Sequence, residues 1–274
     1  MTWETLLLDK PEDGIGIVTL NRPRRANAMS QHMLRELADL CVEIERDDAI
    51  RAVIVTGAGG AFTSGFDLKD QAEAMPTGVK DWVPLLEADF NGIMSFWDLS
   101  KPTVAAVNGP ALAGGFELML GCDLAIAVED AVFGEPELKF GAGIVSMLLP
   151  WFVSPKIAKG VIFTGEDGIT ARQALDWGLL NKVVSAEALM PEAMKLAGKL
   201  AQMEPMVIRR TKMAVNRTYV IMGMKDALRA ALDIDIMIEG EGAQLKRDFL
   251  KVVREQGMAA ALAWREARLS IATR

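Results

Sequence analysis

The chain has 274 residues, a formal net charge of −7 and a hydrophobic content of 51%. This length and composition suffice for a large buried core and exclude a low-complexity or disordered protein. The acidic balance argues against general nucleic-acid binding, because polyphosphate partners favour a basic surface. We therefore expect a folded globular protein with no nucleic-acid partner.

The first part of the chain predicts strands that alternate with helices. A β-hairpin is expected from residues 5–9 and 15–20, around the turn-forming residues 11–14. Ser30 is a suitable N-cap for the helix that follows. The apolar face of that helix comprises Leu34, Leu37, Ala38, Cys41 and Ile44.

A buried strand, Ala52–Thr56, leads into the glycine-rich residues 57–60. No Lys-Ser/Thr pair follows these glycines, so they predict a turn rather than a phosphate-binding P-loop. Asp67 then begins a helical pattern. The N–H of Phe66 lies in this turn between the strand and the helix.

A second buried strand, Thr103–Val107, leads to Gly114 and Gly115 at another helix start. Glycines there allow close backbone approach, and the free N–H groups favour an oxygen with negative charge. We predict that the N–H groups of Phe66 and Gly114 meet at one carbonyl oxygen.

Two carboxyl groups flank this predicted oxyanion site. Glu117 lies in the first turn of an apolar helix, and Glu137 follows Pro136. The alternative for Glu117 is a satisfied core residue or a partner of the helix dipole, and for Glu137 a solvated loop carboxylate. Residues 103–128 do not predict a membrane span, because Glu117 and Asp123 would be costly in lipid.

Several motifs along the chain have an informative order and spacing. They are Asn21-Arg-Pro with Asn27-Ala28, Phe62-Thr-Ser-Gly-Phe-Asp-Leu68, Val107-Asn-Gly with Ala113-Gly-Gly-Phe-Glu117, Cys122-Asp123, and Phe133-Gly-Glu-Pro-Glu137. Further matches are Thr170-Ala-Arg-Gln-Ala, Trp177-Gly-Leu-Leu-Asn-Lys-Val183 and Gly257-Met258. Together they resemble the crotonase family, the enoyl-CoA hydratase/isomerase superfamily, over nearly the whole chain.

The resemblance implies an α/β fold, with a crotonase-like spiral of ββα repeats and a C-terminal helical region used for trimer formation. Helical spacing from Pro191 onward agrees with this. We therefore expect a catalytic core at residues 1–190 and a helical region at residues 191–274 for oligomerisation and part of the acyl-CoA site. A homotrimer or a dimer of trimers is expected, since a monomer would expose the apolar helical tail.

The resemblance also implies an acyl-CoA enzyme that stabilises a thioester enolate. Hydration of a 2-enoyl-CoA is the main expectation, in which the residue matching Glu117 activates water and the residue matching Glu137 supplies the α-proton. Isomerases of the family commonly keep one such acid, so the pair favours hydration. The alternatives are Δ3,Δ2-enoyl-CoA isomerisation, carbon–carbon cleavage, thioester hydrolysis, or a noncatalytic binding protein of the same fold.

Coenzyme A enters as part of the substrate; we expect no permanently bound cofactor and no metal. The resemblance assigns substrate and CoA binding to Arg24, Arg25, Ala26, Ala28, Ser64, Gly65, Asp67, Leu68 and Pro136. A C-terminal basic set offers further candidates for the CoA phosphates, namely Lys246, Arg247, Lys251, Arg254 and Arg265. For the cluster around Arg24, a solvated turn is the alternative.

The chain departs from the family pattern in three places. Residues 141–152 replace the usual glycine-rich loop and predict a remodelled acyl end of the pocket. Its apolar residues either line that pocket or pack a helix core; they are Met147, Leu148, Leu149, Trp151 and Phe152. Phe66 adds bulk where a small residue is usual, and residues 259–264 lack the usual aromatic after Gly-Met.

The remaining reactive side chains predict no other chemistry. His32 is the only histidine and is expected at the surface, and no G-x-S-x-G motif occurs, which disfavours a serine nucleophile. Cys41 and Cys122 are expected to be reduced core thiols. Met1-Thr-Trp-Glu leads directly into a strand without a recognisable signal or presequence, which favours a cytoplasmic protein.

Overall fold

The computed structural model describes residues 3–12 and 14–272 and confirms the alternation of strands and helices. The strands are β1 (Leu6–Glu12), β2 (Gly14–Leu20), β3 (Ile50–Gly57), β4 (Thr103–Val107), β5 (Ala111–Leu112), β6 (Leu124–Val128), β7 (Val132–Gly134), β8 (Ile169–Thr170) and β9 (Lys182–Val184). The helices of the first part are α1 (Gln31–Arg46), α2 (Leu68–Ala74), α3 (Gly78–Asp98), α4 (Gly114–Gly121), α5 (Leu149–Phe152), α6 (Pro155–Thr164) and α7 (Ala171–Asp176). Those of the last part are α8 (Ala186–Ala201), α9 (Pro205–Ile221), α10 (Met224–Glu241), α11 (Gln244–Gln256) and α12 (Met258–Ala272).

The larger sheet has six strands in the order β1-β2-β3-β4-β6-β9. Strands β1 and β2 form the predicted antiparallel hairpin. Asp13 of its turn, and Met1 and Thr2 before it, lie outside the described residues. All other neighbouring pairs are parallel. The carboxyl ends of β3, β4 and β6 therefore meet at one edge, where loops gather functional groups in open parallel sheets.

A second, smaller layer is built from the segments that follow these strands. Its three-stranded sheet has the order β5-β7-β8. Isolated parallel bridges between Met29 and Phe66, and between Thr63 and Ala111, extend the layer. Each repeat thus passes from a long strand, through a short second-layer segment, into a helix. This is the predicted ββα spiral, and it confirms the fold class.

The main core lies between the larger sheet and its helices. The side chain of Ser30 caps α1 as predicted, accepting a hydrogen bond from the Met33 N–H at 3.1 Å. Cys41 and Cys122 are buried free thiols. Desolvation on burial raises the pKa of Cys41 to about 12, so the thiol stays protonated and unreactive at neutral pH. His32 is half-exposed beside Glu4.

The C-terminal helices begin earlier than expected. Helix α8 starts at Ala186 rather than Pro191, and the proline lies inside it. The buried positions Leu189, Ala193, Ala197 and Ala201 form one stripe that faces the sheet. Burial of this stripe keeps the helix continuous despite the hydrogen bond that proline removes. The helix therefore crosses the expected boundary at residues 190 and 191; the division into core and tail stays a prediction.

The last helices fold back onto their own chain. Helix α10 packs against α3, and α11 packs against α2 and α12. A small second core joins these helices to the turn after Glu137, where the rings of Phe140 and Phe249 stack with centroids 5.1 Å apart. Arg265 on α12 also pairs with Asp167. None of the helices in the described chain is both long and apolar enough to cross a membrane.

Candidate functional site

The turn before α2 and the start of α4 are in contact. Gly65 has φ +88°, and a Cβ atom placed on it would lie 3.0 Å from the backbone nitrogen of Gly114. A Cβ atom on Gly114 would lie 2.6 Å from the Phe66 ring. Glycine is therefore required at both positions for the two turns to approach this closely.

The N–H groups of Phe66 and Gly114 are left without protein acceptors in the described chain. The Met29 N–H donates to the Gly65 carbonyl at 2.8 Å, and the Met29 carbonyl accepts from the Asp67 N–H at 3.0 Å. Because successive backbone groups of an extended chain point to opposite sides, the Phe66 N–H faces away from Met29. The Gly114 N–H is free because it lies at the N-terminus of α4. Their joint action on one oxygen remains a proposal.

Asn27 fixes the loops around this turn. It is fully buried, with φ +53°, which asparagine tolerates better than most residues. Its Nδ2 donates to the carbonyls of Ala58 at 2.9 Å and Ala61 at 2.8 Å. Its Oδ1 accepts from the Arg22 N–H at 3.0 Å. The side chain thereby ties the loop after β2 to the turn after β3.

Glu117 is fully buried in the first turn of α4. Its Oε1 accepts a hydrogen bond from the Ser146 N–H at 2.8 Å. Its Oε2 has no partner among the described residues. A satisfied core residue would pair both oxygens, so the structure leaves one acceptor of Glu117 available for a ligand or water.

Glu137 is also buried, with only 7% of its surface exposed, which excludes a solvated loop carboxylate. A third carboxyl, that of Glu135, is 1% exposed beside it. The Oε2 atom of Glu137 and that of Glu135 both lack a hydrogen-bond partner within the part of the chain that the structure describes. Sequence reasoning missed Glu135, although it lies in the same Gly-Glu-Pro-Glu motif. The signal was its place directly after β7, where the chain is still enclosed between layers.

Burial raises the pKa of all three carboxyl groups. Desolvation is the main cause for Glu117 and Glu135, whose pKa values lie well above the ordinary range, and repulsion by Glu137 adds to it. Desolvation raises the pKa of Glu137 to about 8, opposed by a backbone hydrogen bond and by one from Glu135. Because burial and mutual repulsion disfavour ionisation of all three groups together, the cluster keeps at least one proton at neutral pH, and the Glu137 pKa of about 8 suits this residue to the role of general acid.

The other predicted binding residues lie in the loops around this site. Arg24 and Arg25 form an exposed turn with Ala26, while Ala28 is buried. Ser64 is exposed, and its N–H donates to the Ala26 carbonyl at 3.0 Å. The remaining four lie close to Phe66 or Glu137 in the chain: Gly65, Asp67, Leu68 and Pro136. Their contacts with substrate stay predictions.

The C-terminal basic residues divide into paired and exposed ones. Lys246 is buried against Glu239 at 2.8 Å, and Arg265 pairs with Asp167 at 3.2 Å. The Arg247 guanidinium donates to Gln244 at 2.8 Å. Lys251 and Arg254 are exposed. Lys246 is the poorest candidate for a CoA phosphate, because binding one would break a buried ion pair.

A cavity of about 330 Å³ opens beside Phe66. Its apolar lining is Met29, Phe66, Ala74 and Leu85. Its polar lining is Gln31, Asp67, Asp70, Gln71, Glu73 and Asp89. The predicted apolar residues of segment 147–152 are not among its lining residues. Leu148 and Leu149 lie in the main core, and Met147, Trp151 and Phe152 pack against it, which confirms the helix-core alternative.

Two buried acids of this region were also missed by sequence reasoning. Asp89 on α3 is 1% exposed and Asp235 on α10 is 2% exposed. Each interrupts an apolar stripe at helical spacing, Asp89 between Leu86 and Ile93, and Asp235 after Leu232. An acidic residue within such an apolar stripe is the signal from which the burial of Asp89 and Asp235 could have been predicted.

The buried acids predict that the fold loses stability as pH rises. Desolvation raises the pKa of Asp235 to about 7, with Glu239 adding to the shift and Lys246 opposing it. The folded state thus binds a proton that the unfolded chain releases at lower pH. Its contribution to the free energy of unfolding, on the order of 4 kcal/mol, is fully present below pH 4 and is lost as pH rises through about 7.

The Asp235→Asn variant tests this linkage, because an amide cannot ionise. We expect its midpoint of urea unfolding to exceed that of the wild type at pH 8, with the difference shrinking or reversing at pH 4.5. An exposed control, Asp98→Asn, should show no such crossover. Equal pH dependence in wild type and Asp235→Asn would contradict the assignment.

The two-layer ββα spiral, with buried carboxyls and free amides between its layers, defines a protein of the crotonase fold. Residues 10–246 match the family model described as enoyl-CoA hydratase/isomerase. A crystal structure of an enoyl-CoA hydratase/isomerase from Xanthobacter autotrophicus Py2 is 51% identical, with a TM-score of 0.95 over 97% of this chain and 99% of that chain. The chain belongs to the enoyl-CoA hydratase/isomerase family.

Curated relatives are similar over most of their length. A crotonyl-CoA hydratase from Syntrophomonas wolfei is 34% identical over 241 residues, which cover 86% of this chain and 88% of that protein. A short-chain-enoyl-CoA hydratase from Clostridium acetobutylicum is 36% identical over 247 residues, 88% of this chain and 90% of that protein.

Proposed function

We propose that the protein hydrates a 2-enoyl-CoA to a 3-hydroxyacyl-CoA. The observation that carries this proposal is the buried pair Glu117 and Glu137, each with an unpartnered oxygen among the described residues, beside the free amides of Phe66 and Gly114. The two relatives whose names specify enoyl-CoA or crotonyl-CoA hydration support the same reaction.

In this proposal the thioester carbonyl accepts hydrogen bonds from the Phe66 and Gly114 N–H groups. Each donor of this kind stabilises the enolate-like transition state by roughly 3 kcal/mol in comparable sites. A carbonyl so polarised draws the electrons of the double bond toward the α-carbon. The β-carbon then becomes open to attack by water.

The two acids divide the proton transfers. Glu117, held by the Ser146 N–H, acts in its ionised form and accepts a proton from the attacking water as the new carbon–oxygen bond forms. Its raised pKa makes the carboxylate a stronger base for this step. Glu137 donates a proton to the α-carbon, where the new carbon–hydrogen bond forms. Its pKa of about 8 keeps it protonated at neutral pH, in agreement with that role. A second such acid is not needed for isomerisation, which moves one proton between carbons.

The experiment is a turnover assay with crotonyl-CoA that follows the loss of enoyl absorbance and identifies the product by mass. Hydration predicts a mass gain of one water and one solvent deuterium on the α-carbon in D₂O. A parallel assay with a 3-enoyl-CoA detects isomerisation. Isomerisation of that thioester without hydration of crotonyl-CoA or longer 2-enoyl-CoA chains would overturn the proposal.

We further propose that the protein assembles as a homotrimer or a dimer of trimers through its C-terminal helices. On α9 only Lys212 is buried. The helix and its ends expose large apolar side chains, namely Met206, Val207, Met213, Val215, Ile221 and Met222. A monomer would leave this surface in water, whereas burial at roughly 25 cal/mol per Å² favours association.

Sedimentation equilibrium tests the assembly. The wild type should have three or six times the chain mass of 29.8 kDa. The double variant Met213→Lys/Ile221→Lys should shift toward the monomer, because two charges would be buried in the interface. Val42→Lys on α1, another exposed apolar position outside this surface, serves as the control. A monomeric wild type at micromolar concentration would contradict this proposal.

A further inference from the structure

Glu135 is a buried acid that the proposed reaction does not use. Only 1% of its surface is exposed, and it lies directly after β7. Its Oε2 has no hydrogen-bond partner among the described residues. Folded proteins rarely keep a buried polar atom unsatisfied, because its desolvation is then uncompensated. The position of Glu135, two residues before Glu137, makes the proposed reaction the place to look for its role.

The backbone around Glu135 is held by contacts outside the candidate site. Its N–H donates to the Glu166 carbonyl at 2.8 Å. A Cβ atom on Gly134 would lie 2.1 Å from the same carbonyl oxygen, so only glycine permits this approach. Pro136, whose ring restricts φ, is the single residue between Glu135 and Glu137. The two acids are therefore presented from a constrained segment of backbone.

The side chains of Glu135 and Glu137 are hydrogen-bonded to each other. Two carboxylates cannot form such a bond, because both would be acceptors, so one of the two groups carries the proton. Desolvation is the main cause of the raised pKa of Glu135, and repulsion by Glu137 and this hydrogen bond add to it. In Glu137 the same bond opposes the effect of desolvation on the pKa. Glu135 is therefore the donor and Glu137 the acceptor.

The charges around this pair keep the proton on Glu135. Glu137 and Glu117 both disfavour its ionisation, and Asp235 adds a further acid beside Glu137. The cations of the surrounding elements pair with other acids, Lys139 and Arg265 with Asp167, and Lys246 with Glu239. Within the described chain Glu135 has no ion-pair partner of its own. It is thus a neutral hydrogen-bond donor at neutral pH.

We propose that Glu135 is a positioning residue for Glu137: its O–H donates to Glu137 and stabilises the carboxylate that forms when Glu137 protonates the α-carbon. The proposal rests on the hydration proposed above and adds a residue to it. In that step the enolate supplies the electron pair of the new carbon–hydrogen bond, the Glu137 O–H bond breaks, and the charge passes to Glu137. The Glu135 proton stays on Glu135. A hydrogen bond to an ion is stronger than one between neutral groups, so this bond strengthens toward the transition state.

The variants Glu135→Met and Glu135→Gln test this role. Methionine removes the donor and keeps a long unbranched side chain. We expect it to lower kcat for crotonyl-CoA by about tenfold or more, with a much smaller change in KM, because the bond strengthens only in the transition state. Glutamine keeps an N–H donor and should recover most of that loss. Glu129→Met makes the same change at an exposed position outside the site and should keep wild-type kcat.

The pH dependence of kcat fixes the sign of the interaction. Without the donor, Glu137 becomes a weaker acid, so in Glu135→Met the alkaline fall in kcat should move upward from about pH 8. A shift of about one pH unit corresponds to a tenfold change in ionisation. A downward shift would show that Glu135 is an anion that repels Glu137, and it would overturn the inference, as would no shift at all.

A double-variant cycle separates this role from a structural one. Glu137→Gln has no proton to release at this position, so adding Glu135→Met should lower the remaining kcat by less than about twofold. A loss of the same size in both backgrounds would mean that Glu135 only supports the fold, and would overturn the inference. If Glu135→Met does not fold, Glu135→Asp replaces it, because the shorter side chain withdraws the donor and should give the same shift in the pH profile.

An NMR titration of labelled glutamate carboxyl groups tests the pair without turnover. The Glu137 signal is assigned by its absence in Glu137→Gln. It should titrate at higher pH in Glu135→Met than in the wild type, and this result supports the inferred hydrogen bond even if no enoyl-CoA is hydrated. Hydration of crotonyl-CoA together with an unchanged Glu137 titration in Glu135→Met overturns the inference and leaves the hydratase proposal intact.

Discussion

Replacing Glu117 or Glu137 with glutamine is expected to lower kcat for crotonyl-CoA hydration by roughly 10³-fold, the usual size of a general acid–base contribution. Glutamine keeps the shape of each side chain, and at position 117 it keeps the acceptor for the Ser146 N–H. It can neither take a proton from water nor give one to carbon. KM should change much less than kcat, because the loss falls on the transition state.

The same assay carries its controls and a pH test. Glu129→Gln, an exposed carboxylate at the end of β6, should retain wild-type kcat. Wild-type kcat should fall as pH rises through the Glu137 pKa of about 8, since the proton donor is then lost. Full activity in either Glu117→Gln or Glu137→Gln, with wild-type folding, would remove that residue from the mechanism.

The substitution Asn27→Asp is expected to destabilise the protein by roughly 4 kcal/mol at neutral pH. The two side chains have the same shape, and both tolerate the positive φ of this position. The change replaces a buried donor with an anion that faces the carbonyls of Ala58 and Ala61. The carbonyls lose their donor, and the new charge has no partner to offset its desolvation.

Urea unfolding followed by circular dichroism measures this effect. The exposed Asn91→Asp variant on α3 makes the same chemical change in water and should differ from wild type by less than about 0.5 kcal/mol. Lowering the pH should partly restore Asn27→Asp, because protonation removes the buried charge. Wild-type stability in Asn27→Asp would mean that the loops around Phe66 do not depend on this side chain.

The free amides and the buried acids make opposite demands on the surrounding chain. Gly65 and Gly114 must lack side chains for the two turns to touch, whereas Glu117 and Glu137 need enclosing side chains to raise their pKa values. The fold meets both demands by placing the amides at turns between the two layers and the acids at buried positions, Glu117 in the first turn of α4 and Glu137 after β7. Strands β4 and β6, buried along nearly their whole length, supply the rigid support.

Local patterns in the sequence predicted much of this arrangement. β-Branched runs identified β3 and β4 because a buried parallel strand needs apolar residues on both faces. Ser30 and Asp67 identified two helix starts because their side chains accept from the first free N–H groups. Several motifs in the same order and spacing, including the one around Glu117, identified the family together, whereas any one of them alone would be weak.

Other features depended on residues far apart in the chain. Helix α8 passes through Pro191 because the sheet buries one of its faces, a benefit that the local sequence does not contain. Residues 147–152 pack the core rather than the cavity, because the loop before them turns inward to bring Ser146 to Glu117. The acid at Glu135 was overlooked because its burial depends on the layers on either side of β7.

By itself the sequence determined the fold class through its motifs, the starts of α1 and α2 through Ser30 and Asp67, and the choice of Glu117 and Glu137 as the proposed acids, since each depends on residues that lie near one another along the chain. Only the tertiary structure decided that Glu135, Asp89 and Asp235 are buried near the same site, and that apolar residues 147–152 belong to the core. The physical reason is that desolvation depends on everything packed around a carboxyl group. Those neighbours come from α3, α10 and the loop after β7, which only folding brings together.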